Sequence, residues 1–307
     1  MTTYDWRNGN VRVSLNPSNG ERTLTYPMSE GAAPTAPFNI DIRVQTACSF
    51  GFNPTTGKAI CTFCHESART DGKECDYSQL LSKLRALSRE LSNNHAIELA
   101  IGCNSPTLEL GTFLREAVRL QFVPNLTVNG GHLKTHLPTI QKWQQEGIVF
   151  GVGISYRKLF ENQLAILQDK LDNVVLHCIC GIDSVDDILK VGKCNPLIRK
   201  LLILGEKDFG FNVGNVDVTS PSHLEWRERL REVLDVYEIV SFDNLALEQL
   251  NVRGTLGITD SEWNSRYQGE YSLYINAVEG YYSPSSRSSR KVKWGGTSIS
   301  EFFTSLL

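Results

Sequence analysis

The sequence has no marked excess of charge of either sign. Its 31 Lys and Arg stand against 34 Asp and Glu, a formal net charge of −3. That balance argues against a broadly basic surface that would hold nucleic acid by its phosphates, although a local basic channel fits inside a near-neutral total. The chain also lacks any run of about 18 apolar residues, so no membrane span is expected. Its first ten residues, MTTYDWRNGN, contain no apolar core of a secretory signal. A cytoplasmic location is therefore expected. No internal repeat is visible beyond the strand–helix period, and no cysteine follows Cys194. Without a secretory signal, the eight cysteines read as reduced thiols rather than a disulfide scaffold, and clustered ones point to metal.

The 41% hydrophobic content is enough for a large core. Residues 11–27 alternate on either side of NPSNG and read as a hairpin, and residues 29–37 as a Pro-rich linker. From residue 38 a regular alternation begins. FNIDIRVQ is a strand, the helix over 77–92 carries Leu80, Leu84, Leu87 and Leu91 on one face, and strands then recur about every 25 residues with helices between them. The strands are two-faced. Phe38, Ile40, Ile42 and Val44 alternate with Asn39, Asp41, Arg43 and Gln45, and later strands repeat the pattern with Asn125, Thr127 and Asn129 and with Gly151, Gly153 and Ser155. Parallel sheets covered on both faces read as continuous apolar runs instead. The expected fold is α/β, a partial or near-complete (β/α) TIM-type barrel with a polar interior and an N-terminal hairpin extension. An amphipathic sheet with one solvated face is the alternative. The expected organisation is a hairpin and linker over 1–38, a barrel core over 39–250 and a C-terminal cap over 251–307. The basic stretch SRSSRKVK in the last part reads as a solvated loop or an anion contact.

Three thiols stand out in the loop after the first barrel strand. Twelve residues separate Cys48 from Cys61, and two separate Cys61 from Cys64. A loop there lies at the carboxyl ends of the strands, where barrel active sites sit. A structural zinc site needs four closed ligands, and His65 is a poor fourth because it adjoins Cys64. The c-type haem pattern fits Cys61 to His65 but leaves Cys48 over. A phosphate loop over Gly51 to Ala59 has one residue too many between its glycines. A [4Fe–4S] cluster on three thiolates, with one iron open, fits best.

With its aromatic before the last cysteine, Cys61-Thr62-Phe63-Cys64 resembles the cluster loop of radical S-adenosylmethionine (SAM) enzymes. The gap of twelve before Cys61 departs from the commonest family pattern, which has three. AIGCNSP looks like the family's glycine-rich segment at the SAM amino group, with Gly102 and Pro106 matching and Cys103, Asn104 and Ser105 altered. LTVNGG with Asn129, GISY with Ser155 and CICGID with Gly181 are similar to the family's later strand-end motifs. The matches run from about Asn39 to Phe242. The combination also resembles uncharacterised radical SAM proteins of bacteriophages. The resemblance implies Cys48, Cys61 and Cys64 as cluster ligands. It implies Phe63, Gly102, Asn104, Asn129, Ser155 and Gly181 as contacts of SAM. It further implies an enzyme that cleaves SAM to a 5′-deoxyadenosyl radical, which abstracts hydrogen from a substrate. A flavodoxin- or ferredoxin-type electron donor follows from the same resemblance. The first expectation for the substrate is a nucleotide or modified DNA base, the second a peptide or protein side chain. A non-catalytic iron–sulfur or zinc protein is the reading of a different class.

Other residues are weighed by position. Asp41, Arg43 and His177 are candidates to face the cavity, with a buried ion pair at Asp41 as the alternative. His132 is a candidate substrate contact, and His65 a group beside the cluster or a solvent-facing loop residue. Alternation with His177 puts Cys178 and Cys180 on the helix-packed side, and Cys103 reads as a packing residue.

Overall fold

Alternation gives this chain strands with two unlike faces, and the computed structural model shows what each face meets. It describes residues 3–26, 33–167, 170–259, 263 and 272–307. Pro27, which ends the expected hairpin, and part of the expected linker, 29–32, lie outside the described residues.

Three antiparallel strands open the chain: β1 (Tyr4–Asn8), β2 (Val11–Asn16) and β3 (Glu21–Thr25). The sequence predicts only the last two. The first forms because Trp6 and Asn8 alternate inward. Asn8 accepts hydrogen bonds from the Thr35 and Ala36 amides and donates to the Ala36 carbonyl at 2.6 Å, tying the incoming chain to this sheet.

The core begins with β4 (Asn39–Arg43). A hairpin of β5 (Ala47–Asn53) and β6 (Lys58–Ala59) follows, then α1 (Tyr77–Glu90). Next come β7 (Glu98–Cys103), α2 (Leu108–Arg119), β8 (Val123–Asn129), α3 (Leu133–Gln145) and β9 (Gly151–Ser155). The alternation continues through β10 (Val174–Ile179), α4 (Val185–Cys194), β11 (Lys200–Leu204), α5 (Pro221–Val236) and β12 (Ile239–Phe242). Two short helices, α6 (Asn244–Gln249) and α7 (Val252–Leu256), precede β13 (Ser272–Asn276), β14 (Tyr281–Ser283), β15 (Val292–Lys293) and α8 (Ile299–Thr304).

Ten strands form one sheet in the order β12-β11-β10-β9-β8-β7-β4-β13-β14-β15. From β12 to β13 every pairing is parallel; β14 and β15 are antiparallel. The fold is thus mixed α/β with a large, mostly parallel sheet. One face is apolar. Ile40, Ile42, Leu99, Ile101, Leu126, Val128, Leu176 and Cys178 join the helix stripes in a single core, among them Leu80, Leu84 and Leu87 of α1. Cys103 and Cys180 are buried in the same core. Helix starts are capped as local chemistry requires: Asp76 accepts from the Ser78 and Gln79 amides, and Thr107 from Leu110.

Two helices differ from expectation. The sequence LPTIQKWQQEG predicts a helix over 137–147; α3 instead starts at Leu133, with Pro138 inside it, directly after a 3-10 turn over Gly130–His132. The helix predicted over 159–171 is a 3-10 segment, Lys158–Leu167, interrupted at Phe160. Phe160 leaves helical geometry and its ring stacks on Phe50. The last segment does more than cover the core: β13 pairs with β4 and extends the main sheet. Among the described residues, no helix is long and apolar enough to cross a membrane.

Candidate functional site

The second face of the sheet lines a cavity of about 330 Å³. Asp41 of β4, Ala100 and Gly102 of β7, Thr127 and Asn129 of β8, Ser155 of β9, His177 of β10, Leu204 of β11 and Tyr274 of β13 all reach it. Register makes this a continuous floor. Asp41 pairs with Ala100 on one side and Tyr274 on the other, Gly102 with Thr127, and Ser155 with both Asn129 and His177. Small residues set its depth. A Cβ on Gly102 would meet nothing within 4 Å, so that backbone borders open space. A Cβ on Gly153 would lie 2.3 Å from the His177 ring, which packs across the bare glycine.

The cysteine loop lies over the carboxyl ends of these strands. The twelve residues between Cys48 and Cys61 are not slack: most of them build the β5–β6 hairpin, turned at Asn53, whose side chain accepts from the Thr55 amide, and at Gly57, whose φ is +68°. The Ile60 and Cys61 amides both donate to the Phe50 carbonyl, at 3.1 and 3.0 Å, which folds the chain back on itself. A tight turn follows, with the Cys64 amide donating to the Cys61 carbonyl. Cys48, Cys61 and Cys64 therefore line one cavity. Burial raises the Cys48 and Cys64 pKa values; Cys61 and Cys64 raise that of Cys48 further, and Cys61 and Glu66 that of Cys64. Opposing this, the Phe50 and Gly51 amides point at the Cys48 sulfur, and the Ala68 and Glu66 amides at that of Cys64. Asn129 Nδ2 approaches Cys61 Sγ at 3.9 Å. Among the described residues, no group of three or more His, Cys, Asp or Glu side chains is preassembled around a single metal ion.

The remaining polar groups divide into satisfied and unsatisfied ones. Arg43 pairs with Glu66 at 2.6 Å, and His65 Nε2 lies 3.3 Å from the same carboxylate. Burial would raise the Glu66 pKa. The hydrogen bond and charge of His65, with the charges of Arg43 and Lys207, instead bring it down to about 2. Asp41 is exposed to the cavity, although much of the chain surrounds it. Its desolvation raises its pKa to about 6, partly offset by the charge of Lys207. Desolvation alone lowers His177 to about 4. The Arg157 guanidinium lies 4.7 Å from the centre of the Phe63 ring. Gln45, almost fully buried, accepts from the Asn104 and Ser105 amides at 3.0 Å each and donates to the Ser105 carbonyl at 2.7 Å and to Glu74 at 3.1 Å.

The structure brings Phe63, Gly102, Asn104, Asn129 and Ser155 together with the three cysteines at this cavity. Gly181 does not line it. Its φ of +88° turns the chain over His223, whose ring would be 2.1 Å from a Cβ there. His132 is also outside the lining; it holds the hairpin, with Ser49 Oγ at 2.7 Å and the Phe50 ring stacked at 4.3 Å. His65 lines the cavity rather than facing solvent. Sequence reasoning missed Gln45 as a clamp, Arg157, Lys207 and Tyr274, and met Ser286 only as the start of a stretch read as a loop or anion contact. Arg157 and Lys207 each follow a core strand by two or three residues, so charge just beyond strand ends was the available signal. Ser286 opens the SRSSRKVK stretch, whose reading as an anion contact was its signal; Tyr274 had none, because it arrives from the segment that has lost the strand–helix rhythm.

No family model matches the chain, and no curated protein matches its sequence. The fold does have counterparts. The crystal structure of Streptococcus suis SuiB superimposes with a TM-score of 0.62 at 10% identity, over 98% of this chain and 88% of SuiB. The structure of SuiB bound to S-adenosylmethionine gives 0.58 at 10% identity over the same shares. At that identity the likeness is one of fold.

Proposed function

We propose that the chain is a radical SAM enzyme, with a [4Fe–4S] cluster on Cys48, Cys61 and Cys64 and SAM in the adjoining cavity. The observation that carries this reading is the convergence of three loop thiols with Gly102, Asn129 and Ser155 on one strand-end cavity. A cluster binds each thiolate to a different iron, so it needs thiols that share a cavity rather than a mononuclear set. The donors present suit it: backbone amides reach two of the sulfurs and the Asn129 side chain approaches the third, placed to donate to sulfur bound in a cluster. The likeness in fold to a protein solved with SAM bound supports the cofactor.

When bound, the cluster would supply the electron that breaks the sulfonium–C5′ bond of SAM. The chain's own residues shape what surrounds that event. Gly102 leaves room beside the floor, and Gln45 holds the 104–105 loop rigid against it. The hairpin closes one side of the cavity and limits water. Asp41 on β4 feels both Lys207 beyond β11 and Asp243 beyond β12, which supports a sheet curled into a partial barrel. Residues 39–250 supply the cluster loop and most of the floor, and the segment from 251 adds Tyr274 and Ser286 to the wall.

A nucleotide or modified base remains the favoured substrate, with a peptide or protein side chain as the second reading, and a flavodoxin- or ferredoxin-type protein as the electron donor. Anaerobic reconstitution tests the class. About four irons per chain and 5′-deoxyadenosine after reductant and SAM are expected. Cys64→Ala should lose the iron and Cys180→Ala, buried in the core, should keep it. One zinc per chain, or a loaded cluster that yields no 5′-deoxyadenosine, would sink the proposal.

A further inference from the structure

We propose that Asp41, Tyr274 and Lys207 form a substrate subsite for a small molecule that carries an anionic group, phosphate or carboxylate, together with a hydrogen-bond donor. This deepens the reading of the cavity given above and rests on it for the word substrate, but it uses none of the cluster or SAM residues.

The three side chains share the cavity and lack adequate partners. The Asp41 side chain makes no hydrogen bond or ion pair among the described residues, although the residue stands in the middle of the sheet between Ala100 and Tyr274. Its carboxyl is exposed to the cavity, so it is open to a hydrogen-bond donor that enters from there. The Tyr274 hydroxyl also makes no hydrogen bond among the described residues; its ring leans on Tyr281. Lys207 comes from beyond β11, on the opposite side of the curled sheet. Its described polar contacts are Ser286 Oγ at 3.4 Å and His65 Nε2 at 3.3 Å, neither of them a carboxylate. The nearby Glu66 is already committed to Arg43 and His65. One acid and one base thus face the same space, close enough for Lys207 to influence Asp41 and too far apart to form an ion pair.

That gap has a chemical reading. The ammonium of Lys207 and the hydroxyl of Ser286 suit an anionic oxygen, and the Asp41 carboxylate and Tyr274 hydroxyl suit an amino or hydroxyl donor. A nucleotide with an amino-bearing base satisfies both, and so does an acidic residue of a peptide.

Calorimetric titration of the full chain separates the sources and tests the subsite. One arm compares deoxycytidine 5′-monophosphate with deoxycytidine; the other compares N-acetyl-glutamate α-amide with N-acetyl-glutamine α-amide, which differ only in the side-chain carboxylate. In one arm the anionic ligand should bind at least tenfold tighter than its uncharged counterpart, and that arm identifies the source. Lys207→Met should abolish the preference, Lys207→Arg should retain it within about threefold, and Asp41→Asn should weaken both members of the pair. Ser286→Ala, a milder change in an irregular loop, should reduce the preference severalfold and guards against a misfolded Met variant. No preference in either arm, or a preference that survives Lys207→Met, overturns the subsite. The titrations need neither iron nor SAM. A chain that takes up no cluster yet shows the Lys207-dependent preference would remove the enzymatic reading and keep the subsite; a loaded, SAM-cleaving chain without the preference would do the reverse.

Discussion

Ser49 Oγ lies 2.7 Å from His132 Nε2, and this contact joins the cysteine hairpin to the end of β8. Beside it the Phe50 ring is sandwiched between His132 and Phe160, at 4.3 and 5.1 Å. The hairpin is therefore a built element of the fold, anchored one residue from Cys48.

Breaking the anchor should loosen the hairpin more than the molecule. His132→Ala removes a hydrogen bond and a stacked ring, together about 1–3 kcal/mol. Limited proteolysis should then cut within 53–58 several times faster, and reconstituted iron should fall. Unchanged cleavage at that tip would show that the anchor is redundant.

Gly131 makes the stacking possible. A Cβ there would lie 2.2 Å from the Phe50 ring and 2.7 Å from that of Phe160. Gly131→Ala should cost about 1–3 kcal/mol in denaturant unfolding through overpacking. In a double-mutant cycle, Phe50→Ala should recover part of that loss, because it removes the nearer ring. Simple additivity would mean the strain lies elsewhere.

Gln45 is the keystone of the loop after β7. Its side chain serves two amides, one carbonyl and one carboxylate. Gln45→Ala leaves the Asn104 and Ser105 amides without an acceptor, a loss of about 2–4 kcal/mol. SAM affinity, read by equilibrium dialysis, should fall at least tenfold, since the loop beside Gly102 would no longer be fixed. Gln45→Glu keeps the acceptors but loses the donor to Ser105 and Glu74, and should be intermediate.

Acid stability carries two opposed signals. Burial holds His95, His132 and His177 at about 4, against an unfolded value of 6.5. The unfolded chain therefore binds more protons between pH 6.5 and 4, and stability is lost as pH falls through that window. Asp41 acts the other way: its folded value of about 6 lies above the unfolded 3.8, so stability falls as pH rises from 3.8 to 6. Asp41→Asn should raise the melting temperature at pH 7 by roughly 3 °C and steepen the loss between pH 6 and 4. Thermal melts across that range check both signs, and parallel profiles for variant and wild type would contradict the Asp41 assignment.

The thiol loop and much of the strand ladder were legible because their signals are local. A two-residue cysteine gap forces a turn, and two-faced strands announce a polar cavity before any contact is known. The same logic placed Cys178 and Cys180 in the core. What was illegible depends on chain meeting chain through space. Nothing in the sequence near Gln45 says that it will cradle residues 104–105, nor does anything around His132 reveal that Ser49 and Phe50 return to it. Gly181 shows a related effect, standing apart from the cavity lining. Its glycine is required by the His223 ring packed behind the strand, a contact no local signal announces. The 1–38, 39–250 and 251–307 division followed the rhythm of the chain, whereas the sheet follows register, and register carried β13 across that boundary.

The pairing of β13 with β4 also fixes an order of events in synthesis. Asn39 meets Ser272, about 230 residues later in the chain. While the polypeptide emerges from a ribosome, β4 can acquire β7 early, but its other edge stays unpaired until Asn276 has been made. Such distant pairings are slow to close, and an open parallel edge is a site for mispairing with other chains. Nascent chains stalled before residue 272 should be the stage at which this protein most depends on chaperones, and the wall that carries Tyr274 is the last part of the cavity to exist.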